Sequence, residues 1–219
     1  MPLSAWDLTA RQWLLGVSER LRAGGPAPQR VLAPGVARRT MAPVEEAELR
    51  YADCPTTEAE LLIEASPSVV WRLVCDIQTP ADFSSEFQGG QWLDGASCAA
   101  LGARFRGRNF HDARGSWETE STICEFEPER LFGWAVGDAS KPAAQWRFSL
   151  EPEGSGTRIR QWMRMGPGES GISELIAQMP DKEHRIIRRR LAEHRANMTA
   201  TLVGIRGAAE AATPAGAAS

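Results

Sequence analysis

Lysine is almost missing from this 219-residue chain, occurring only at Lys141 and Lys182, and arginine carries nearly the whole basic side. Beside the abundant alanine and glycine, that skew reads as genomic composition bias before it reads as a functional surface. A net charge of -3 supplies no large field of one sign, so nothing in the balance demands a nucleic acid partner. Cysteine is scarce too. Cys54, Cys75, Cys98 and Cys124 lie far apart, with no Cys-x-x-Cys pair and no histidine ladder beside them. This argues against a zinc site or a disulfide framework and predicts reduced thiols in a cytoplasm. No apolar run approaches the ~20 residues that span a bilayer. Asp7 and Arg11 interrupt the stretch where a secretory signal would need an unbroken apolar core. Also missing are a Ser-His-Asp spacing, a Walker loop, a Rossmann glycine fingerprint and a metal-binding histidine cluster. Covalent, nucleotide and metal chemistry therefore lack support, and no cofactor is expected.

With 42% hydrophobic residues, the chain suits one globular domain plus appendages. Trp6, Ala10, Trp13, Leu14, Val17 and Leu21 recur at helical spacing behind a capping-box-like Ser4 to Asp7, so an amphipathic helix opens the chain. Gly24, Gly25, Pro26 and Pro28 end it, and prolines punctuate an irregular connection, giving an appendage over residues 1–57. Two tryptophans on one face imply docking on the main domain or on a second subunit, which makes a homodimer through this helix one expectation. Translation starting at Met41 is the plain alternative.

From Glu58 the period changes to two, with Ala59, Leu61, Ile63 and Ala65 facing one way and Glu58, Glu60 and Glu64 the other. Ser66 as N-cap and Pro67 at the first helical position then open a short helix carrying Val70, Trp71 and Val74. A second brief helix is predicted over residues 81–87. Strands follow over 91–94, 103–111, 117–126, 131–136, 145–151 and 157–165, separated by glycine and proline turns. One long helix closes the domain from an N-cap at Asp181 to Arg206, its apolar stripe running through Ile187, Leu191, Met198, Leu202 and Ile205 with His194 as the polar exception. Residues 209–219 are expected to form a disordered Ala-rich tail. This order describes an α+β domain, a curved antiparallel sheet wrapped around a terminal helix.

Several stretches resemble the START-like or helix-grip superfamily, often labelled SRPBCC, and within it the polyketide cyclase/dehydrase and lipid transport branch. They are Ser66-Pro67 with Val70-Trp71, Trp92-Leu93-Asp94-Gly95, the run from Leu101 to Asn109, Trp146-Arg147-Phe148, Gly156-Thr157-Arg158 and the run from Glu193 to Met198. The resemblance covers residues 58–208 and implies a cavity between the concave sheet and the last helix. It implies no shared catalytic motif, because such scaffolds carry ligands, cyclise polyketides or bind protein partners.

Given that cavity, alternation places Phe105, Gly107, Asn109 and His111 inward with Arg104, Arg106 and Arg108 outward. The next strand puts Trp117, Thr119, Ser121 and Ile123 inward, and its outward Glu118 and Glu120 can pair with those arginines. Trp134, Trp146, Gln161 and Met163 complete the lining. Asn109, Thr119, Ser121 and Gln161 are candidate ligand contacts, since each costs about 1 to 3 kcal/mol if buried unpaired; pairing with one another or with backbone is the structural alternative. His194, His111 and Glu86 are the candidate proton-transfer groups, with a satisfied core histidine, a loop residue and a solvated carboxylate as their respective alternatives. His184, in the first helical turn, carries less weight because the positive helix terminus disfavours its protonation. Three functions fit. The first is a cofactor-independent cyclase or dehydratase of bacterial secondary metabolism acting on an aromatic or polyketide-like molecule. The others are a non-catalytic carrier of a hydrophobic ligand or lipid and a protein-interaction module.

Overall fold

A computed structural model describes residues 48–213 of the chain. The opening helix, most of the linker and the homodimer contact assigned to them fall outside the described residues. Strand β1 (Thr56–Ile63) leads into helix α1 (Pro67–Val74) and a 3₁₀ turn at Thr79–Asp82. Strands β2 (Phe87–Trp92), β3 (Arg104–His111), β4 (Gly115–Glu127), β5 (Leu131–Val136), β6 (Ala144–Glu153) and β7 (Gly156–Met165) follow, then helices α2 (Gly171–Gln178) and α3 (Glu183–Ala212). All seven strands join one antiparallel sheet in the order β1-β7-β6-β5-β4-β3-β2. Because β1 and β2 occupy opposite edges, α1 and the turn after it carry the chain across the sheet. The sheet curves round α3 in the helix-grip arrangement.

Period-two alternation sets which side chains face the helix. Phe105, Ser121, Ile123, Phe132, Phe148, Ile159, Gln161 and Met163 are buried on the inner face. On the outer face, Arg106 Nη2 donates to Glu120 Oε1 at 2.9 Å and Arg104 Nη1 to Asp94 Oδ2 at 2.8 Å, while Glu118 lies 3.6 Å from Arg106 Nε. These exposed pairs fix register more than they stabilise, at about 0 to 1 kcal/mol each. β4 carries one bulge, between Ile123 and Glu125. It resets the alternation so that Phe126 turns inward and meets Trp71, with ring centroids 5.6 Å apart.

Four local expectations change. Ser66 occupies the N-cap of α1, but its hydroxyl pairs with Ser68 Oγ at 3.1 Å rather than with helix backbone. The helix expected over 81–87 is a 3₁₀ turn and the start of β2. Ser84 Oγ accepts from the amides of Glu86 (3.1 Å) and Phe87 (3.0 Å), and this side-chain turn ends the helical winding. Helix α2 is an element the sequence reading lacks. It is opened by reciprocal caps, Ser173 N to Ser170 Oγ at 3.2 Å and Ser170 N to Ser173 Oγ at 2.8 Å. Finally, α3 starts at Glu183, with Asp181 in a preceding 3₁₀ turn, and continues to Ala212.

Gly204 and Gly207 do not stop α3. A Cβ on Gly204 would stand 2.2 Å from ring carbons of Phe83, so this glycine serves close packing. Ala209 has no exposure, and residues 209–212 belong to the helix rather than to a tail. At the other boundary, Tyr51 joins the domain: its hydroxyl donates to Gly168 O at 2.7 Å and its amide to Glu183 Oε1 at 2.7 Å. Leu49 N donates to His184 Nδ1 at 2.8 Å, which gives that histidine a structural post. The compact unit therefore begins at Leu49.

Candidate functional site

Between the inner face and the first half of α3 lies a cavity of about 420 Å³. That volume is inside the range of ~300–1,000 Å³ usual for small-molecule pockets. Phe105 from β3, Trp117 from β4, Trp134 from β5, Trp146 and Phe148 from β6 and Met163 from β7 line it. Trp134 and Trp146 stack with planes 8° apart and centroids 6.2 Å apart, a flat indole wall suited to a ring system.

Polar groups interrupt this wall at Asn109, Thr119, Ser121 and Gln161, as the alternation anticipates. Asn109 Nδ2 donates to Gly107 O at 3.3 Å and to Thr119 Oγ1 at 3.5 Å, so part of its capacity, and that of Thr119, is used internally. Gln161 differs: it is 6% exposed, and its Oε1 is buried with no hydrogen-bond partner among the described residues. A buried amide oxygen left unpaired in a core is costly, and a cavity wall is where such a group persists.

His194 reaches the cavity from α3, 8% exposed, its ring edge-on to Trp146 with centroids 5.1 Å apart. Its ring makes no hydrogen bond to the described residues. Burial pushes its pKa well below 6.5, and the charge of Arg190 together with nearby His111 pushes it further the same way, so the ring is neutral at pH 7. A neutral imidazole both accepts and donates a hydrogen bond.

The other two proton-transfer candidates stand differently. Glu86 lines the cavity, but both carboxylate oxygens are held by the Arg190 guanidinium, one at 2.7 Å from Nη1, with both side chains 12% exposed. Burial opposes the Arg190 charge, yet the bonds and charges of Glu86 and Glu193 outweigh it and hold its pKa above the ordinary value. Glu86 is thus one half of a partly buried ion pair, neither a solvated loop carboxylate nor a free acid. His111 is absent from the cavity wall: its Nδ1 accepts from Ala113 N at 3.1 Å and its Nε2 faces Glu193 Oε2 at 3.6 Å. The hairpin turn that follows β3 draws the ring sideways, which alternation alone does not reveal.

Two arginines of the site escape a reading by stripe and alternation. Arg190 stands four residues before His194, on the same helical face, and that i, i+4 relation was the available signal. Arg114 lies on the β3–β4 turn at the cavity rim, its guanidinium 4.6 Å from the Trp117 ring centroid.

The fold has known counterparts. A family model described as polyketide cyclase / dehydrase and lipid transport matches residues 55–198. The chain belongs to this polyketide cyclase/dehydrase and lipid transport family. A polyketide-cyclase-like protein of Corynebacterium glutamicum, solved by solution NMR, is 31% identical, with a TM-score of 0.50 over 69% of this chain and 88% of that one. The ZhuI aromatase/cyclase of Streptomyces sp. R1128 shares the fold at 17% identity, with a TM-score of 0.52 over 74% of this chain and 96% of its own. The di-domain aromatase/cyclase StfQ of the steffimycin biosynthetic pathway does so at 11% identity and a TM-score of 0.54, over 71% of this chain and 50% of its own. No curated protein matches the chain. Family membership supports a role in binding hydrophobic small molecules, in keeping with the aromatic wall. Among the described residues no helix is long and apolar enough to cross a membrane.

Proposed function

We propose that this family member binds an aromatic or polyketide-like molecule in its cavity and acts on it as a cofactor-independent cyclase or dehydratase. The observation that carries the reading is a neutral His194, with no hydrogen bond to the described residues, projecting into an indole-walled hollow. An apolar ring lies against Trp134 and Trp146, and Gln161, Asn109 and Ser121 offer hydrogen bonds to its oxygens. The neutral His194 ring takes a proton from a carbon flanked by carbonyls. The carbanion left behind attacks a second carbonyl of the same molecule, closing a ring, and the imidazolium returns its proton to the new alkoxide. The same pair of transfers removes water in a dehydration: a proton leaves carbon to the imidazole, and hydroxide leaves protonated. Because burial and Arg190 disfavour the imidazolium, it gives its proton back readily. No redox change occurs, so the chemistry balances without a cofactor.

A carrier without catalysis is the second reading, and one observation favours it. Arg190 occupies both oxygens of Glu86, which removes a second acid or base from the wall. All four cysteines are free, in keeping with a proposed cytoplasmic location. The deciding experiment is native mass spectrometry of protein from its own host, followed by incubation of the captured molecule with the wild type and His194→Gln. Ring closure or loss of water, slowed at least about a hundredfold in the variant, is expected. A captured molecule returned unchanged by both proteins would replace the enzyme with the carrier.

A further inference from the structure

Arg114 is a cation in an unfavourable position. Its guanidinium packs on Trp117 and against Gly171, where an added Cβ would come within 2.6 Å of Arg114 Nη1. Gly171 begins α2, so the arginine lies beside the positive end of a helix. Burial of its inner side pushes its pKa down, and Arg190 adds to this, while Glu174 and Glu86 offset part of it. The residue as a whole is exposed at the rim, its inner side against Trp117 and its outer N–H groups toward water; among the described residues none of these groups donates a hydrogen bond and no ion pair forms. Arg190 contrasts with it, both of its terminal nitrogens donating to Glu86 and one of them also to Glu193. A positively charged side chain held by an aromatic face, with its fork of donors unspent at the rim of an apolar cavity, is arranged for an anion that the protein itself does not supply.

We infer that the molecule bound in this cavity carries a carboxylate at its outer end and that the Arg114 guanidinium anchors it. The inference rests on the cavity being a binding site for an apolar molecule, as proposed above, and adds the chemical class: an aromatic acid rather than a neutral ring compound. One negative charge suits the surroundings better than two. Glu169 also lines the site, and it repels a doubly charged phosphate more strongly than a carboxylate.

Isothermal titration calorimetry of the full chain with 2-naphthoate, methyl 2-naphthoate and 2-naphthyl phosphate tests this. The acid is expected to bind roughly tenfold more tightly than its methyl ester, the scale of one charge-assisted pair, and the phosphate no more tightly than the acid. In Arg114→Gln the acid-to-ester ratio falls to about one while the ester's affinity holds, and Arg114→Lys keeps part of the preference. Equal binding of acid and ester by the wild type would overturn the carboxylate anchor and leave the cavity reading standing. Tighter binding of the phosphate would overturn the choice of a single charge, and an unchanged ratio in Arg114→Gln would remove this residue from the role. Binding of none of the three would fell the cavity reading and the inference together.

Discussion

The two halves of α3 face the same sheet and are received by it in opposite ways. Toward its C-terminus the inward side chains are Leu202, Ile205 and Ala209, none of them exposed, in one cluster with Ile63, Leu150 and Ile159. Earlier turns present Arg190, His194, Asn197 and Met198, and what they meet is the hollow. Apolar area is buried where it stabilises the domain, and polar groups remain where an incoming molecule can satisfy them. One helix thus does two jobs, a bolt at one end and a ceiling at the other, and the change of job coincides with the change of residue type along its stripe.

Breaking the closed half has the largest expected effect. Leu202→Ala removes a side chain with no exposure and should lower unfolding stability by about 3 kcal/mol in a urea titration, with affinity for the naphthoate probe retained. A loss under about 1 kcal/mol would mean that this half is no better packed than the other. The hollow half should respond with the opposite sign. Gln161→Leu deletes a buried amide oxygen that has no partner, so the ligand-free protein should gain roughly 1 to 2 kcal/mol while the probe binds more weakly. Destabilisation by that change would place Gln161 with the core residues and blur the contrast.

The smallest effect concerns pH. The folded protein holds the His194 pKa well below 6.5, whereas the unfolded chain keeps it near that ordinary value. Below pH 6.5 the unfolded state therefore binds more protons. The stability contributed by the neutral ring is complete above that pH and is lost as pH falls toward the folded pKa, at no more than about 1.4 kcal/mol per pH unit. His194→Gln should flatten that limb of the stability curve. An unchanged slope would show that the ring is not secluded from water.

Most of the sheet and the aromatic lining could be read from residue order, because period-two alternation and glycine turns are local signals. Phe105, Trp117, Trp134, Trp146 and Met163 all reach the cavity by that logic alone. The extent of α3 could not be read this way. Gly204 and Gly207 weaken a helical reading in sequence, and the tertiary role of Gly204 against Phe83 is visible only once the loop is in place. The short helix α2 was missed for a related reason: eight residues give little periodicity, and its serine caps are a weak cue. Glu86 and Arg190 are 104 residues apart, so no local pattern announces their ion pair. Arg114 sits in a turn, where alternation has no meaning.

The pairing of Glu86 with Arg190 has a consequence for how the hollow fills. These two opposite charges neutralise each other inside the wall before anything arrives. A guest moving inward past them displaces water from indole faces and neutral amides, and no ion there must be stripped of its hydration shell. The chamber is in this sense electrically settled in advance, its contour set by protein alone.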